Sequence, residues 1–336
     1  MHLSSSARGR YFSVMTTPST LGLDPTLWTV TATASLALIG LGVGHVAGRL
    51  VYLFGSAEPA GDPRPGGASR TLAAPAGRGD AAEPAPGGAS APGAPLAHTE
   101  GEDDEGPPPP RCPFCRAELS FVPWTPTVAS RAFRRRGACP HCEQVVRPHL
   151  AVVIATGALF AVVGVVAVTD PRWSPVELLA VLWLAALTAV LSVIDLRVLR
   201  LPDPLVGPGY AVAFLLFAAA VFLPPTEHGL DRAGAALVSM VLVTVLYWLL
   251  WRVSPRGFGF GDVKLSGLTG LYAGWAAGPM GALVAVFWAF AAFSVLGLVL
   301  LALRRIRPMQ PFPLGPFMLG ATLVTVLVGA PLVVHP

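Results

Sequence analysis

Seven apolar runs, at 27–54, 150–168, 178–194, 205–223, 233–251, 280–303 and 314–334, dominate this 336-residue chain. Each approaches or exceeds the length needed to cross about 30 Å of hydrocarbon. A soluble single-core fold cannot bury so many such runs. With 53% hydrophobic and 12% charged residues and a mean hydropathy of +0.62, the chain reads as a polytopic membrane protein. A shorter, glycine-rich run from Asp262 to about Trp275 is read as one more span, which makes eight. The first run is too long for a signal-peptide core and is read as retained.

Orientation follows from the arginines. With the N-terminus outside, the loops 55–149, 195–204, 252–264 and 304–313 face the cytoplasm and hold 18 of the 23 basic residues. Eight spans with both ends outside fit this asymmetry; seven would break it. The expected class is therefore an all-α polytopic membrane protein of about eight transmembrane helices. Its expected parts are an N-terminal tail 1–26, a first span 27–54, a linker 55–110, a cytoplasmic knuckle region 111–149 and a membrane domain 150–336. Residues 55–110 are rich in Ala, Gly and Pro and carry the acidic cluster "EGEDDEG". Such a segment cannot bury enough apolar surface to offset its ordering entropy and reads as a disordered linker.

All four cysteines lie outside the spans, as "CPFC" (Cys112, Cys115) and "CPHC" (Cys139, Cys142). Two C-x2-C knuckles let four thiolates converge on one tetrahedral ion, and in a reducing compartment zinc is favoured over disulfides. A closed four-cysteine site leaves no position for a reactive water, so its role is structural. His141 is read as a bystander. Between the knuckles, "SRAFRRRG" places Arg131, Arg134, Arg135 and Arg136 near a membrane surface, where anionic lipid headgroups are the expected partner. Nothing in the pattern points to nucleic acid.

Two glycine stripes, Gly40/Gly44/Gly48 and Gly270/Gly274/Gly278, read as close helix packing. They suggest that the first and sixth spans lie centrally in the bundle.

Of the 19 acidic residues, only Asp195, Asp203 and Asp262 sit where spans meet the cytoplasmic face. A carboxylate at the edge of hydrocarbon is costly to desolvate and marks a candidate site. A surface ion pair with Arg197, Arg200 or Arg256, or a helix cap at Asp262, is the plainer alternative. Gly257, Gly259 and Gly261, just before Asp262, would permit unusual backbone angles and close approach of another chain. Two carboxylates brought together cannot both ionise readily. One then serves as base on a water while the other donates a proton to a carbonyl oxygen.

These residues resemble the type IV prepilin leader peptidases, a branch of the GxGD intramembrane aspartyl proteases. "GFGDVKL" (259–265) is similar to the family's G-x-G-D-x-K-L signature. "DLRVLRLPD" (195–203) resembles its first aspartate and the short loop that follows. "PFPLGPFM" (311–318) resembles the approach to its last helix, and the paired knuckles resemble the cytoplasmic loop of longer members. The resemblance implies that Asp195 and Asp262 are the catalytic dyad, with Gly259, Gly261, Lys264 and Asp203 in supporting roles. It implies cleavage of the basic leader of prepilin or pseudopilin substrates at the cytoplasmic face of a bacterial inner membrane. Bifunctional members also methylate the new N-terminus with S-adenosylmethionine and carry a G-S-F-L-N-V-x-x-x-R-x-P-like stretch. The corresponding "GVGHVAGRLVYLFG" (42–55) keeps only Gly44 and Arg49 of it, so that cofactor applies only if methyltransferase activity is retained. Two other readings stand beside the peptidase: a transporter or ion pathway using the membrane aspartates, and a catalytically silent assembly factor on the same scaffold.

Overall fold

Each long apolar run closes its own backbone hydrogen bonds as a helix, the arrangement a membrane interior demands of a single segment. The computed structural model describes residues 24–54, 109–170, 173–223, 229–255, 259–305 and 312–329. The described elements are helices α1 (Pro25–Ala47), α2 (Arg131–Arg136), α3 (Leu150–Thr169), α4 (Pro175–Val198), α5 (Asp203–Phe222), α6 (Gly229–Val253), α7 (Phe260–Ala302) and α8 (Gly315–Val328). A 3-10 turn follows α1 at Leu50–Phe54. No strand occurs among the described residues, only isolated bridges in the knuckle region. The expected N-terminal tail and linker fall almost wholly outside the described residues, as does Gly257.

Six of the helices are long and apolar enough to cross a membrane. The longest, α7, holds two of the expected spans, because Gly278 interrupts it with φ 68 and ψ −176 and Pro279 follows. Thr269 and Gly270 line the same cavity as Ala282, Ala285 and Ala289. On a straight helix, residues 270 and 285 would lie about 22 Å apart, so the chain folds back at Gly278. The last expected span is shorter than the sequence suggested: α8 has 14 residues and ends at Gly329, whose φ of 67 terminates it. The first keeps its expected extent, Thr26–Phe54, but as an α-helix followed by a 3-10 turn. Its helix stops at Ala47, and Gly48 donates its N–H to Gly44 while its carbonyl accepts from the His149 N–H at 3.1 Å.

The glycine stripes pack as expected, with one exception. A Cβ at Gly40 or Gly44 would strike Thr156, Phe160 or Val153 of α3, and one at Gly270 or Gly274 would strike Ser239 and its neighbours on α6. Gly278 packs against nothing and serves only as the break. Nor is α1 central: Leu27, Val30 and Leu38 are more than half exposed, as expected of a helix that touches the bundle along one stripe. The central helix is α4, whose buried face runs from Ala180 to Asp195 and meets α1, α3, α5 and α8.

At the end of α4 away from Asp195, Ser174 and Glu177 form a reciprocal capping box. The buried Glu177 also accepts from Trp275 Nε1 of α7 at 2.9 Å and pairs with Arg232 of α6 at 2.7 Å. This polar pin joins three helices. Hydroxyls elsewhere in the spans, including Thr156, Thr188, Ser239, Thr244 and Thr322, donate to the carbonyl four residues back. None of these is left unsatisfied in an apolar setting.

Candidate active site

Asp195 lies in the last turn of α4 and is 4% exposed. The helix ends four residues later, where Leu199 takes a left-handed φ of 54 and returns its N–H to the Asp195 carbonyl. A non-glycine residue adopts that conformation at a cost of about 1 kcal/mol, and it turns the chain sharply into 200–203. The Asp195 carboxylate accepts from the backbone N–H of Gly315 at 3.0 Å. Gly315 opens α8, so the donor is one of the N–H groups that a helix start leaves without an internal partner, and the helix dipole also favours negative charge there. A Cβ at Gly315 would sit 2.7 Å from Asp195 Oδ2. Only glycine leaves room for this carboxylate.

Asp262 lies in the first turn of α7, and its N–H closes onto the Gly259 carbonyl at 3.0 Å. It is not the helix cap; Gly259 holds that position and makes no side-chain cap bond. Gly259 has an ordinary φ of −73, so the unusual backbone angles expected for these glycines do not occur there. Close approach does occur, at Gly261, where a Cβ would meet Leu201 Cβ at 3.2 Å and Leu201 N at 3.4 Å. The start of α7 therefore lies directly on the loop that follows Asp195.

A second tie fixes the same pair of segments. Lys264 Nζ reaches both carboxylate oxygens of Asp203 at 2.7 Å, and Tyr210 of α5 donates its hydroxyl to the Lys264 carbonyl at 2.7 Å. Asp203 is thus occupied by Lys264. Asp195 and Asp262 are in no ion pair among the described residues, and no hydrogen bond joins them to each other. The contact of Gly261 with Leu201 holds the two carboxylates at the same end of the bundle. Tyr247 of α6 has a buried hydroxyl that lacks a partner among the described residues, and it lines a small cavity with Gly270 of α7 and Met318 of α8. Sequence reasoning overlooked the roles of Gly315, Tyr210 and Tyr247. A glycine between prolines at a helix start, as in "PLGP", was the available hint for the first.

The four cysteine sulfurs all lie within 4.8 Å of one another. Cys112 and Cys142 are 3.8 Å apart and Cys115 and Cys139 3.7 Å. An ion holding four thiolates at about 2.3 Å in a tetrahedron places its sulfurs about 3.8 Å apart, so the donor set fits a closed structural metal site. The two knuckles are the same turn built twice. In each, the first cysteine donates to the carbonyl five residues on and accepts from the N–H four residues on (Cys112 with Ala117 and Arg116; Cys139 with Gln144 and Glu143). Arg116 and Glu143 share a left-handed φ of 59. Burial pushes the Cys112 thiol up to about 12. Burial acts on Cys139 too, but the N–H groups of His141 and Cys142 and the neighbouring thiols bring it down to about 7.

The knuckle region and the aspartates share one end of the bundle. The Arg111 N–H bonds to the Leu53 carbonyl, and the Arg197 guanidinium, two residues past Asp195, stacks 5.2 Å from the Tyr52 ring centre.

Comparison with known proteins agrees with this arrangement. The model of the type IV leader peptidase family matches residues 179–302, a stretch that contains Asp195, Asp203, Asp262 and Lys264. Among curated proteins, a prepilin leader peptidase/N-methyltransferase of Burkholderia pseudomallei is 30% identical over 224 residues, covering 66% of this chain and 67% of that protein. One of Klebsiella pneumoniae is 29% identical over 166 residues, covering 49% of this chain and 68% of that protein. One of Pseudomonas putida is 31% identical over 141 residues, covering 42% and 46%. The chain thus spans about two thirds of the first two and about half of the third. No solved structure matches. With the signature aspartates at one end of a helical membrane bundle and two thirds of the Burkholderia protein matched, the chain belongs to the type IV leader peptidase family.

Proposed function

We propose that the protein is a prepilin leader peptidase in which Asp195 and Asp262 form the catalytic dyad. The observation that carries this reading is that two membrane-edge carboxylates, from helices far apart in sequence, are brought to one end of the bundle by the contact of Gly261 with Leu201, in no ion pair among the described residues, while the nearby Asp203 is paired with Lys264. Two such carboxylates share a proton. The ionised one takes a proton from water, and the resulting hydroxide adds to the scissile carbonyl carbon. The protonated one donates to the carbonyl oxygen. Collapse of the tetrahedral intermediate breaks the C–N bond, and the amine leaves with a proton returned by the dyad. The hydrogen bonds of the dyad are expected to form when a substrate backbone and water bind there. Gly259 and Gly261 leave that edge without side chains.

Lys264, Asp203 and Gly315 act as positioning residues: the ion pair holds the start of α7, and the Gly315 N–H orients Asp195. The substrate is the basic leader of a prepilin or pseudopilin, cut at the cytoplasmic face of a bacterial inner membrane. The excess of arginine in the loops on the aspartate side supports that orientation. The ion held by Cys112, Cys115, Cys139 and Cys142 is zinc, and it orders the knuckle region and takes no part in cleavage. Proteolysis is the activity these residues support. The names of its relatives include N-methyltransferase, but "GVGHVAGRLVYLFG" lacks the asparagine and proline of the matching stretch.

Mass spectrometry of a prepilin-like substrate after incubation with detergent-solubilised protein tests the reading. Wild type should release the leader, and Asp195→Asn and Asp262→Asn should each fail while keeping their helical circular dichroism. Full activity in either variant would end the proposal. With S-adenosylmethionine present, the product mass also shows whether a methyl group is added.

A further inference from the structure

Beyond the aspartate site, one charged group is placed where no described residue supplies a counter-charge. Arg49, between α1 and the 3-10 turn, is 8% exposed, and no carboxylate among the described residues pairs with it. Its Nη2 lies 3.1 Å from His45 Nε2, an imidazole nitrogen that supplies no negative charge. Its Nε is buried without a partner, beside Gly137, where a Cβ would stand 2.9 Å away. A buried guanidinium without a counter-charge is strongly unfavourable. Among the described residues, nothing anionic offsets it.

Arg49 lines a cavity of about 560 Å³ between α1, α4 and the knuckle region. Arg134 of α2 lines it too, and the rest is almost wholly apolar, with Val43, Phe133, Leu187 and Val190 among the walls. No carboxylate lines it, which disfavours a cationic ligand or a nucleoside held by its ribose. Along α1 the lining runs from Ile39 to Ala47, about 12 Å of helix, somewhat under half the thickness of a hydrocarbon core. The groove thus has cationic residues at the knuckle end and apolar walls reaching towards mid-membrane. Gly42 lines it as well, and a Cβ there would meet nothing within 4 Å.

We propose that this groove is a binding site for one anionic phospholipid, its headgroup phosphate held by Arg49 and Arg134 and an acyl chain lying between α1 and α4. The lipid neutralises Arg49 and fills the seam between α1 and the central helix α4. It also ties the knuckle region to the membrane at a fixed place, which a general attraction of the arginine run to headgroups would not do.

The test is native mass spectrometry of the full chain in delipidated micelles, titrated with phosphatidylglycerol or phosphatidylcholine. Wild type should retain one phosphatidylglycerol in preference to phosphatidylcholine. Arg49→Ala should weaken that binding by about tenfold or more, the loss of a charge-assisted hydrogen bond, and Arg49→Lys should lose less. Gly42→Phe should fill the groove and expel the lipid while leaving Arg49 in place, with metal content and helical signal unchanged. If Arg49→Ala does not fold, Gly42→Phe alone decides. Equal binding of both lipids, undiminished retention in Gly42→Phe, or a peptide or nucleoside recovered from the groove would each overturn the proposal. None of these outcomes bears on the aspartate dyad, because lipid retention is read without cleavage.

Discussion

At the scale of single residues, the site depends on what Gly315 lacks. Any Cβ there would push on the Asp195 carboxylate, whose nearer oxygen would be 2.7 Å away. We expect Gly315→Ala to lower the rate of leader cleavage by about 100-fold, the cost of an ångström-scale misplacement, while thermal stability changes far less. Rates and melting curves on one preparation separate the two effects. The Lys264–Asp203 pair is different in kind. Both side chains are more than a third exposed, so breaking the pair should shift stability by less than about 1 kcal/mol. Its value lies in registering α7 against the loop after α4. Lys264→Met and Asp203→Asn should each reduce cleavage partially, and the double variant should be no slower than the worse single one. Additive losses in that cycle would show that the two residues act separately.

Among the helices, glycines with the same sequence spacing do different work. Gly274 lets α7 sit against the backbone of α6, with Ser239 and Ala235 in the way of any side chain. Gly274→Leu should therefore lower the unfolding temperature in detergent, at a cost of roughly 1–3 kcal/mol or more for overpacking. Gly278 has open space around it but a φ of 68. Gly278→Ala should cost about 1–2 kcal/mol from backbone strain alone, whereas Gly297→Ala, inside α7 with neither neighbours nor positive φ, should stabilise by up to about 1 kcal/mol. Thermal unfolding of the three variants distinguishes close packing, chain reversal and idle exposure.

For the molecule as a whole, the aspartates, the ends of α4 and α6 and the cysteine knuckles share one end of the bundle, and the Glu177 pin marks the other. Single cysteines at Ser254 and Arg304, in a background where the native four are protected by metal, should react with a membrane-impermeant thiol reagent from the same side. One at Leu223 should react from the opposite side. A strong chelator, or Cys112→Ser, should remove about one equivalent of metal, because a four-thiolate site rarely survives loss of a ligand. Residues 111–149 should then become open to proteolysis while helical circular dichroism persists, since the spans close their own hydrogen bonds. Loss of the helical signal together with the metal would show that the knuckles hold up the bundle.

Much of this was legible in the residues themselves. Apolar runs of bilayer length admit few folds, two C-x2-C turns close on an ion through local bonds alone, and an aspartate after G-x-G at a span edge is conspicuous because charge is scarce there. These features are local, and local chemistry decides them. Tertiary structure decided the rest. The Gly315 donor to Asp195 comes from 120 residues away, the reversal at Gly278 shows only in what its two arms touch, and the stripe on Gly40 and Gly44 told of one contact line without telling that α1's other face is open. α4 became the central helix because its neighbours close around it, and no periodicity within its own 24 residues states which helices those will be.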